Sequence, residues 1–413
     1  MSVTQALESL LQDVGTVSAE TVPLSRALRR VLAQDILAPL DLPPFSNSAM
    51  DGFAVRAKDV ADASQGNPVH LKIVGDVLAG EAKATSLQVG QAVRIMTGAV
   101  IPKGADAIVP VEFTNDPGAL TEKALPEIVV ILKGVKSGDF VREAGQDVKQ
   151  GNKVLSSGHR VRPQDIGMLA ALGVSNPSVY RKPKVAIIST GDELIDLDGE
   201  LRPGTIRDSN GYALAAAIES SEAEPIPMGI VADDPQQLTE RLDLCVESSA
   251  DLIISSAGVS MGAFDFVRTV VESKGHLEFW RVNIRPGKPI LKGSYGGIPI
   301  IGLPGNPVSA LITFEIFVKP FIDRLSGAKL SERLVVMASL IHPVISDGRE
   351  SYLRAKLTQG DHGYEVGLVG SQDSAVLSSL LEANALIRIP AGIKSLSKGE
   401  IIEVLALQNE SIL

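Results

Sequence analysis

Four short stretches carry residue types and spacings that suit phosphate or oxyanion chemistry. Ser189-Thr190-Gly191-Asp192-Glu193-Leu194 sets two acids beside a glycine turn. Taken alone, it also reads as a solvated turn followed by a helix cap, where Asp is favoured. Ser256-Ala257-Gly258-Val259-Ser260-Met261-Gly262-Ala263-Phe264-Asp265 is a run of small residues in front of a helical pattern. Gly258 and Ser260 would let the backbone approach an anion, and Asp265 could serve a metal or a sugar hydroxyl; a Gly-rich loop with a capping Ser is the plainer reading. Asn283-Ile284-Arg285-Pro286-Gly287-Lys288-Pro289 brackets a turn with two cations, Arg285 and Lys288. A fixed pair of this kind suits an oxyanion better than a flexible basic face does, although a lone Pro-Gly-Lys is more often a surface turn. Gly302-Leu303-Pro304-Gly305-Asn306-Pro307 is a loop stiffened by Pro304 and Pro307; its N–H groups, such as those of Gly305 and Asn306, can point at a phosphate. It also fits a helix start with Asn as N-cap and Pro in the first turn.

Jointly, the four stretches imply a site for a phosphorylated, nucleotide-like ligand, with carboxylates for a divalent cation. Residue types narrow the mechanism further. The chain has one cysteine, Cys245, and five scattered histidines, His70, His159, His276, His342 and His362. A His- or Cys-based nucleophile is therefore not expected, and catalysis should rest on positioning and electrostatics at phosphorus.

The elements that must position these loops follow from apolar periodicity. Between residues 180 and 327 the pattern alternates: strand Val185–Ile188, helix Asn210–Ser220, strand Pro225–Val231, helix Pro235–Ser248, strand Asp251–Ser255, helix Phe264–Ser273, strand Gly297–Gly302 and a long helix Val308–Leu325. Such alternation predicts a doubly wound parallel sheet with helices on both faces and ligands at the carboxyl ends of the strands. The Gly- and Asp-bearing stretches at 189–194, 256–265 and 302–307 follow those strands. Upstream, helical spacing over 3–14 and again over 24–36 predicts two amphipathic helices, broken by Pro39 and Pro43-Pro44. Short β-branched runs at 69–74, 92–95 and 127–131 predict a β-rich segment, and Pro163–Leu172 a helix. Runs at 334–338, 352–357, 364–369, 385–389 and 400–405 predict a second β domain of barrel type.

The fold class expected is thus α/β multi-domain. It combines a central parallel-sheet binding domain (179–328), a β-rich N-terminal insertion (45–140), a helical linking domain (1–44 with 141–178) and a C-terminal β-barrel-like domain (329–413). A chain of 413 residues is too long for one ordinary core. Lys plus Arg total 39 against 49 acids, a net charge of −10. No long basic run exists, so nucleic acid is not an expected partner. No apolar run reaches the ~18–20 residues of a membrane helix, and the first residues lack the pattern of a signal peptide. With a single cysteine, the expectation is a cytoplasmic protein with no membrane partner.

In chain order, the four stretches resemble those of molybdopterin molybdenumtransferases. So do Pro44-Phe45-Ser46-Asn47-Ser48-Ala49-Met50-Asp51-Gly52-Phe53-Ala54, Arg94-Ile95-Met96-Thr97-Gly98-Ala99 and Gly104-Ala105-Asp106-Ala107-Ile108-Val109-Pro110. The likeness runs from the first helix to the last β segment. Molybdopterin adenylyltransferases are similar only over the α/β segment, and the C-terminal domain of gephyrin is related. The resemblance implies that adenylylated molybdopterin and molybdate are the substrates. It implies as well that a divalent cation, Mg²⁺, promotes cleavage of the pyrophosphate bond, that AMP leaves, and that the dithiolene sulfurs ligate molybdenum. It also implies a homodimer in which the Asp51 and Thr97 stretches face the α/β domain of the other subunit, and as partners the molybdopterin adenylyltransferase and downstream cofactor-delivery proteins.

By motif match, the resemblance assigns catalytic carboxylates to Glu193, Asp233, Asp265, Asp51 and Asp147, with Glu193, Asp233 and Asp265 as metal ligands. It assigns substrate binding to Thr97, Gly258, Ser260, Arg285, Lys288, Pro304, Gly305, Asn306, Arg354 and Ser374. Four positions depart from the family's usual residues: Gln146 for Glu, Ala257 for Gly, Ala263 for Asp and Arg285 for Lys. Two alternatives stay open at this level, a pterin-binding scaffold with reduced catalysis and a relative that inserts tungstate.

Overall fold

The computed structural model describes residues 1–81, 85–115, 125–257, 266–329 and 334–407. By its internal contacts the chain forms two compact units. The first comprises Met1–Gln34, Gly158–Arg162 and Asn176–Leu413; the second comprises Asp35–Ser157 and Pro163–Ser175.

The first unit is built on a six-stranded sheet: β1 (Lys184–Thr190), β2 (Glu224–Val231), β3 (Leu252–Ser256), β4 (His276–Arg281), β5 (Pro289–Tyr295) and β6 (Ile298–Leu303). Its order is β2-β1-β3-β6-β5-β4. The first four are parallel, as the alternation predicts, whereas β5 and β4 extend the sheet antiparallel. The apolar pattern does not reveal these two strands, because Gly293, Lys292 and Glu278 interrupt their runs.

Alternate residues of each strand feed opposite layers. Val185 and Ile187 join a core with Leu214, Ile218 and the helical segment 307–325. Ala186 and Ile188 join Leu238, Leu242, Cys245, Val267 and Val271 on the other face. The helices Ser209–Ser220 and Pro235–Glu247 are capped by Asp208 and Asp234, whose carboxylates accept from the Gly211 and Gln237 N–H groups. The expected long helix 308–325 is three pieces, with a π-turn at Phe314–Val318 between α-helices. Pro320, which lacks an N–H for the ladder, follows that turn.

Five strands close the C-terminal barrel: β7 (Val335–Leu340), β8 (Glu350–Gly360), β9 (Gly363–Leu368), β10 (Ala385–Ile389) and β11 (Ile401–Ala406). The order β8-β9-β7-β11-β10 returns to β8, so no strand of the ring is left as an edge. Ala338, Leu353, Ala355, Val366, Ile387 and Val404 fill its interior.

The N-terminal helix spans Val3–Leu11, with a capping box of Ser2 and Gln5. The second amphipathic helix expected over 24–36 does not form. Only a 3₁₀ turn at Leu24–Arg26 is present. Arg29 takes a left-handed φ of 64°, and Val31 and Leu32 then bridge to Arg160 and Val179. Long-range pairing overrides local helical spacing here.

The second unit carries a five-stranded sheet in the order 107–110, 52–55, 91–95, 69–77, 128–131. Gly52 stands where a Cβ would lie 2.1 Å from the Val109 carbonyl oxygen, so only glycine permits this strand pairing.

Candidate functional site

Within the first unit, the carboxyl ends of β1, β2, β3 and β6 and two barrel segments enclose a cavity of about 730 Å³. This is where open α/β sheets bind ligands. One wall is acidic. After β1, Gly191 adopts φ 146°, and any Cβ there would lie 2.5 Å from Glu193 Oε2. The glycine lets the chain fold so that the Glu193 carboxylate rests on its backbone. After β2, Asp234 rather than Asp233 caps the next helix. Asp233 therefore faces the cavity beside Glu193, while its N–H donates to Asp192 Oδ1 at 3.1 Å. Burial first, then the Asp192 and Glu193 carboxylates, push the Asp233 carboxyl above its ordinary value.

The same cavity also has a cationic lining, with Arg285, Arg349 and Arg354. Arg354 is fully buried. Its Nε donates to Ser379 Oγ at 3.0 Å, and Nη2 to the carbonyls of Ser371 (2.6 Å) and Asp373 (2.9 Å). Burial foremost, and Arg285 nearby, lower its pKa. Gln372 pins the same turn: its Oε1 accepts from the Arg354 N–H, and its Nε2 donates to the Arg354 and Val369 carbonyls. The turn presents Ser374, whose Oγ accepts from Asn306 Nδ2 at 2.7 Å. Asn306 occupies the N-cap position, but its side chain makes no capping bond. From β1's following helix, Asn210 Nδ2 donates to Ser256 Oγ (2.8 Å) and to the Gly305 carbonyl (2.7 Å), tying two of the loops together.

Of the residues expected from sequence, Glu193, Asp233, Arg285, Pro304, Gly305, Asn306, Arg354 and Ser374 line this one cavity. Lys288 does not; it is exposed beyond the turn at Gly287. Gly258, Ser260, Ala263 and Asp265 lie outside the described residues. Asp51 and Thr97 sit together in the second unit, where Asp51 Oδ1 accepts from the Thr97 N–H (2.6 Å) and Oγ1 (2.8 Å). Asp147 is exposed in that unit, with its N–H donating to the Leu42 carbonyl. Sequence reasoning missed Thr190, Ser309, Arg349, Gln372 and Asp373 as lining residues. Thr190 lay inside a recognised stretch, while Arg349, five residues before Arg354, carried no motif signal.

Among the described residues, no group of three or more His, Cys, Asp or Glu is arranged to hold a metal alone. The acidic wall nevertheless suits Mg²⁺, which typically takes one or two carboxylates and completes its shell with waters and substrate phosphates. Asp233, crowded by like charges, is the kind of carboxylate a cation relieves.

Sequence comparison places this geometry in a family. Residues 1–173 match the MoeA N-terminal region (domain I and II), residues 186–324 a probable molybdopterin binding domain, and residues 338–407 the MoeA C-terminal region (domain IV). A molybdopterin molybdenumtransferase of Nostoc is 40% identical over 395 residues, covering 94% of this chain and 88% of that protein. The chain belongs to the molybdopterin molybdenumtransferase family. A Haemophilus influenzae member is 34% identical over 98% of both chains. A crystal structure of a Pyrococcus horikoshii molybdopterin biosynthesis MoeA protein superposes with a TM-score of 0.84 at 31% identity, covering 98% of this chain and 99% of that one. The family's multi-domain α/β architecture, with its barrel at the C-terminal end, is the one described above.

Proposed function

We propose that this chain inserts molybdenum from molybdate into adenylylated molybdopterin, releasing AMP. One observation carries the reading: carboxylates Glu193 and Asp233 and arginines Arg285 and Arg354 line a single cavity at the strand ends. A nucleotide with a pyrophosphate link needs both, cations for its oxygens and carboxylates at its metal-binding edge.

In this reading, Glu193 and Asp233 would hold Mg²⁺ against the pyrophosphate. When bound, the cation would neutralise charge developing on the phosphate oxygens as the link to AMP breaks. Arg285 and the Ser374 hydroxyl orient a tetrahedral dianion, and Arg354 fixes the turn that presents Ser374. The stiff Pro304-Gly305-Asn306 loop limits how far bound groups can drift from that geometry. The likeness to the family further supports a homodimer in which the Asp51 and Thr97 stretches complete the site of the other subunit. It supports exchange of substrate and product with the adenylyltransferase and delivery proteins, and a cytoplasmic location. Among the described residues, no helix is long and apolar enough to cross a membrane.

The test is AMP release from adenylylated molybdopterin with molybdate and Mg²⁺, with Glu193→Ala in parallel. Release that requires both molybdate and Glu193 is the expected result. Tight nucleotide binding without release, under any oxyanion or divalent metal, would overturn the transferase reading.

A further inference from the structure

Arg349 lines the cavity, yet each of its three side-chain nitrogens already donates a hydrogen bond. Nε (3.0 Å) and Nη2 (2.6 Å) both donate to Asp347 Oδ2, and Nη1 donates to the Ile284 carbonyl at 3.1 Å. The Arg349 N–H donates to Asp347 Oδ1 as well, at 3.0 Å. Arg285 is in the opposite condition. Its Nη1 stands 3.9 Å from Asp347 Oδ2, an ion-pair distance but not a hydrogen bond, and no bond from its side chain exists among the described residues. Its backbone, by contrast, is anchored. Ile284 and Arg285 pair in parallel with Glu350 and Ser351 at the start of β8, the residues that directly follow Arg349.

We propose that Arg349 is a positioning residue that braces Arg285, through Asp347 and the Ile284 carbonyl, to receive a tetrahedral oxyanion in the cavity. Arg285 is then the ligand, its side chain hydrogen-bonded to none of the described residues, and Arg349 is the strut. Asp347 supplies a counter-charge, because Arg285 and the buried Arg354 repel each other across the site. Hydrogen bonding from Arg349 keeps the Asp347 carboxyl below its usual range, so the counter-charge persists on mild acidification. At 3.9 Å the hold is weak enough for an arriving dianion to displace it. The inference rests on the transferase reading for the identity of the oxyanion, either the nucleotide phosphate or free molybdate.

The experiment uses the full chain and two probes, AMP alone and molybdate alone, titrated calorimetrically. Arg285→Met, Arg349→Met and the double variant are compared, with thermal midpoints recorded for each. Arg349→Met is expected to weaken one probe between about tenfold and a hundredfold, and the probe affected identifies which oxyanion Arg285 holds. Arg285→Met should weaken the same probe, and the double variant should bind no worse than Arg285→Met alone, the signature of two residues acting through one contact. Arg349→Lys keeps the charge but cannot bond Asp347 and Ile284 together, so it should recover only part of the loss. Effects of Arg349→Met and Arg285→Met that multiply, or an unchanged affinity for both probes in Arg349→Met, would overturn the brace. Should Arg349→Met fold poorly, Asp347→Asn reads the same coupling from the carboxylate side. Coupled binding without turnover of adenylylated molybdopterin in the unaltered chain would overturn the transferase reading and leave the brace standing.

Discussion

Asn306 Nδ2 donates to Ser374 Oγ across 2.7 Å, joining the loop after β6 to the barrel turn that lines the same cavity. A hydroxyl that accepts one hydrogen bond still has its own proton to donate. Asn306 thereby leaves the Ser374 O–H to seek a different acceptor, and an oxyanion in the cavity is one. Ser374→Ala should raise KM for molybdate about fivefold to tenfold, the worth of one net hydrogen bond, and change kcat little. Asn306→Ala should have a similar effect while leaving the hydroxyl present. An unchanged KM in both variants would remove Ser374 from the oxyanion site.

Glu193 lies against Gly191 with its carboxylate over the backbone. Glu193→Gln preserves shape and removes the charge. If Glu193 holds a cation against the pyrophosphate, kcat should fall by about 10²–10³, and the Mg²⁺ concentration for half-maximal turnover should rise. Gly191→Ala should lose activity to a comparable degree, because its Cβ displaces that same carboxylate. A Mg²⁺ titration that is identical in the unaltered chain and Glu193→Gln would rule out Glu193 as a ligand.

Part of this site was legible because Glu193, Pro304, Gly305 and Asn306 sit in contiguous stretches after strands with strong apolar runs, whereas Asp233, Arg354 and Ser374 were assigned only by the family resemblance. Val185–Ile188 and Leu252–Ser255 announce buried strands, and the loops that leave them had to lie at the strand ends. The illegible parts depend on register between distant segments. Asn210 matters through Ser256 and Gly305, and Arg349 through Ile284; no local pattern encodes either pairing. Arg285 and Lys288 look equivalent in sequence, but the turn at Gly287, with φ 97°, leaves only the first in the cavity. A Cβ on Gly287 would lie 2.3 Å from Thr313 Cγ2, so the turn is fixed by a contact that sequence spacing does not reveal. The segment 24–36 misleads for the converse reason, since its local helical spacing is overruled by pairing to residues 160 and 179.

Ala257 directly follows β3 with φ 75°, in the left-handed region that costs an L-residue about 1–2 kcal/mol. Its N–H still donates to the Leu303 carbonyl at 3.1 Å, so the conformation is held by the sheet. Ala257→Gly removes the steric cost and adds about 0.5–1 kcal/mol of unfolded-state entropy. The net expectation is a gain of up to roughly 1 kcal/mol, read as a higher urea midpoint at constant slope. A lower midpoint would show that the Ala257 methyl packs better than its backbone strain costs.

Asp323 gives a pH test remote from the cavity. Its Oδ1 accepts from Arg160 Nη2 at 2.7 Å, yet burial outweighs the pull of Arg160 and Lys319, and its carboxyl is raised above the ordinary value. For an acid raised on folding, the folded state binds the proton more tightly than the unfolded chain does. Acidification through the raised value therefore adds stability, until the unfolded chain also protonates near pH 4. Asp323→Asn lacks this response. Urea midpoints of the unaltered chain and Asp323→Asn, compared at neutral pH and at pH 5, should shift relative to each other in favour of Asp323 at the lower pH. A relative shift the other way would mean that the Arg160 pair dominates and that Asp323 is an ordinary stabilising carboxylate, lost rather than gained on acidification.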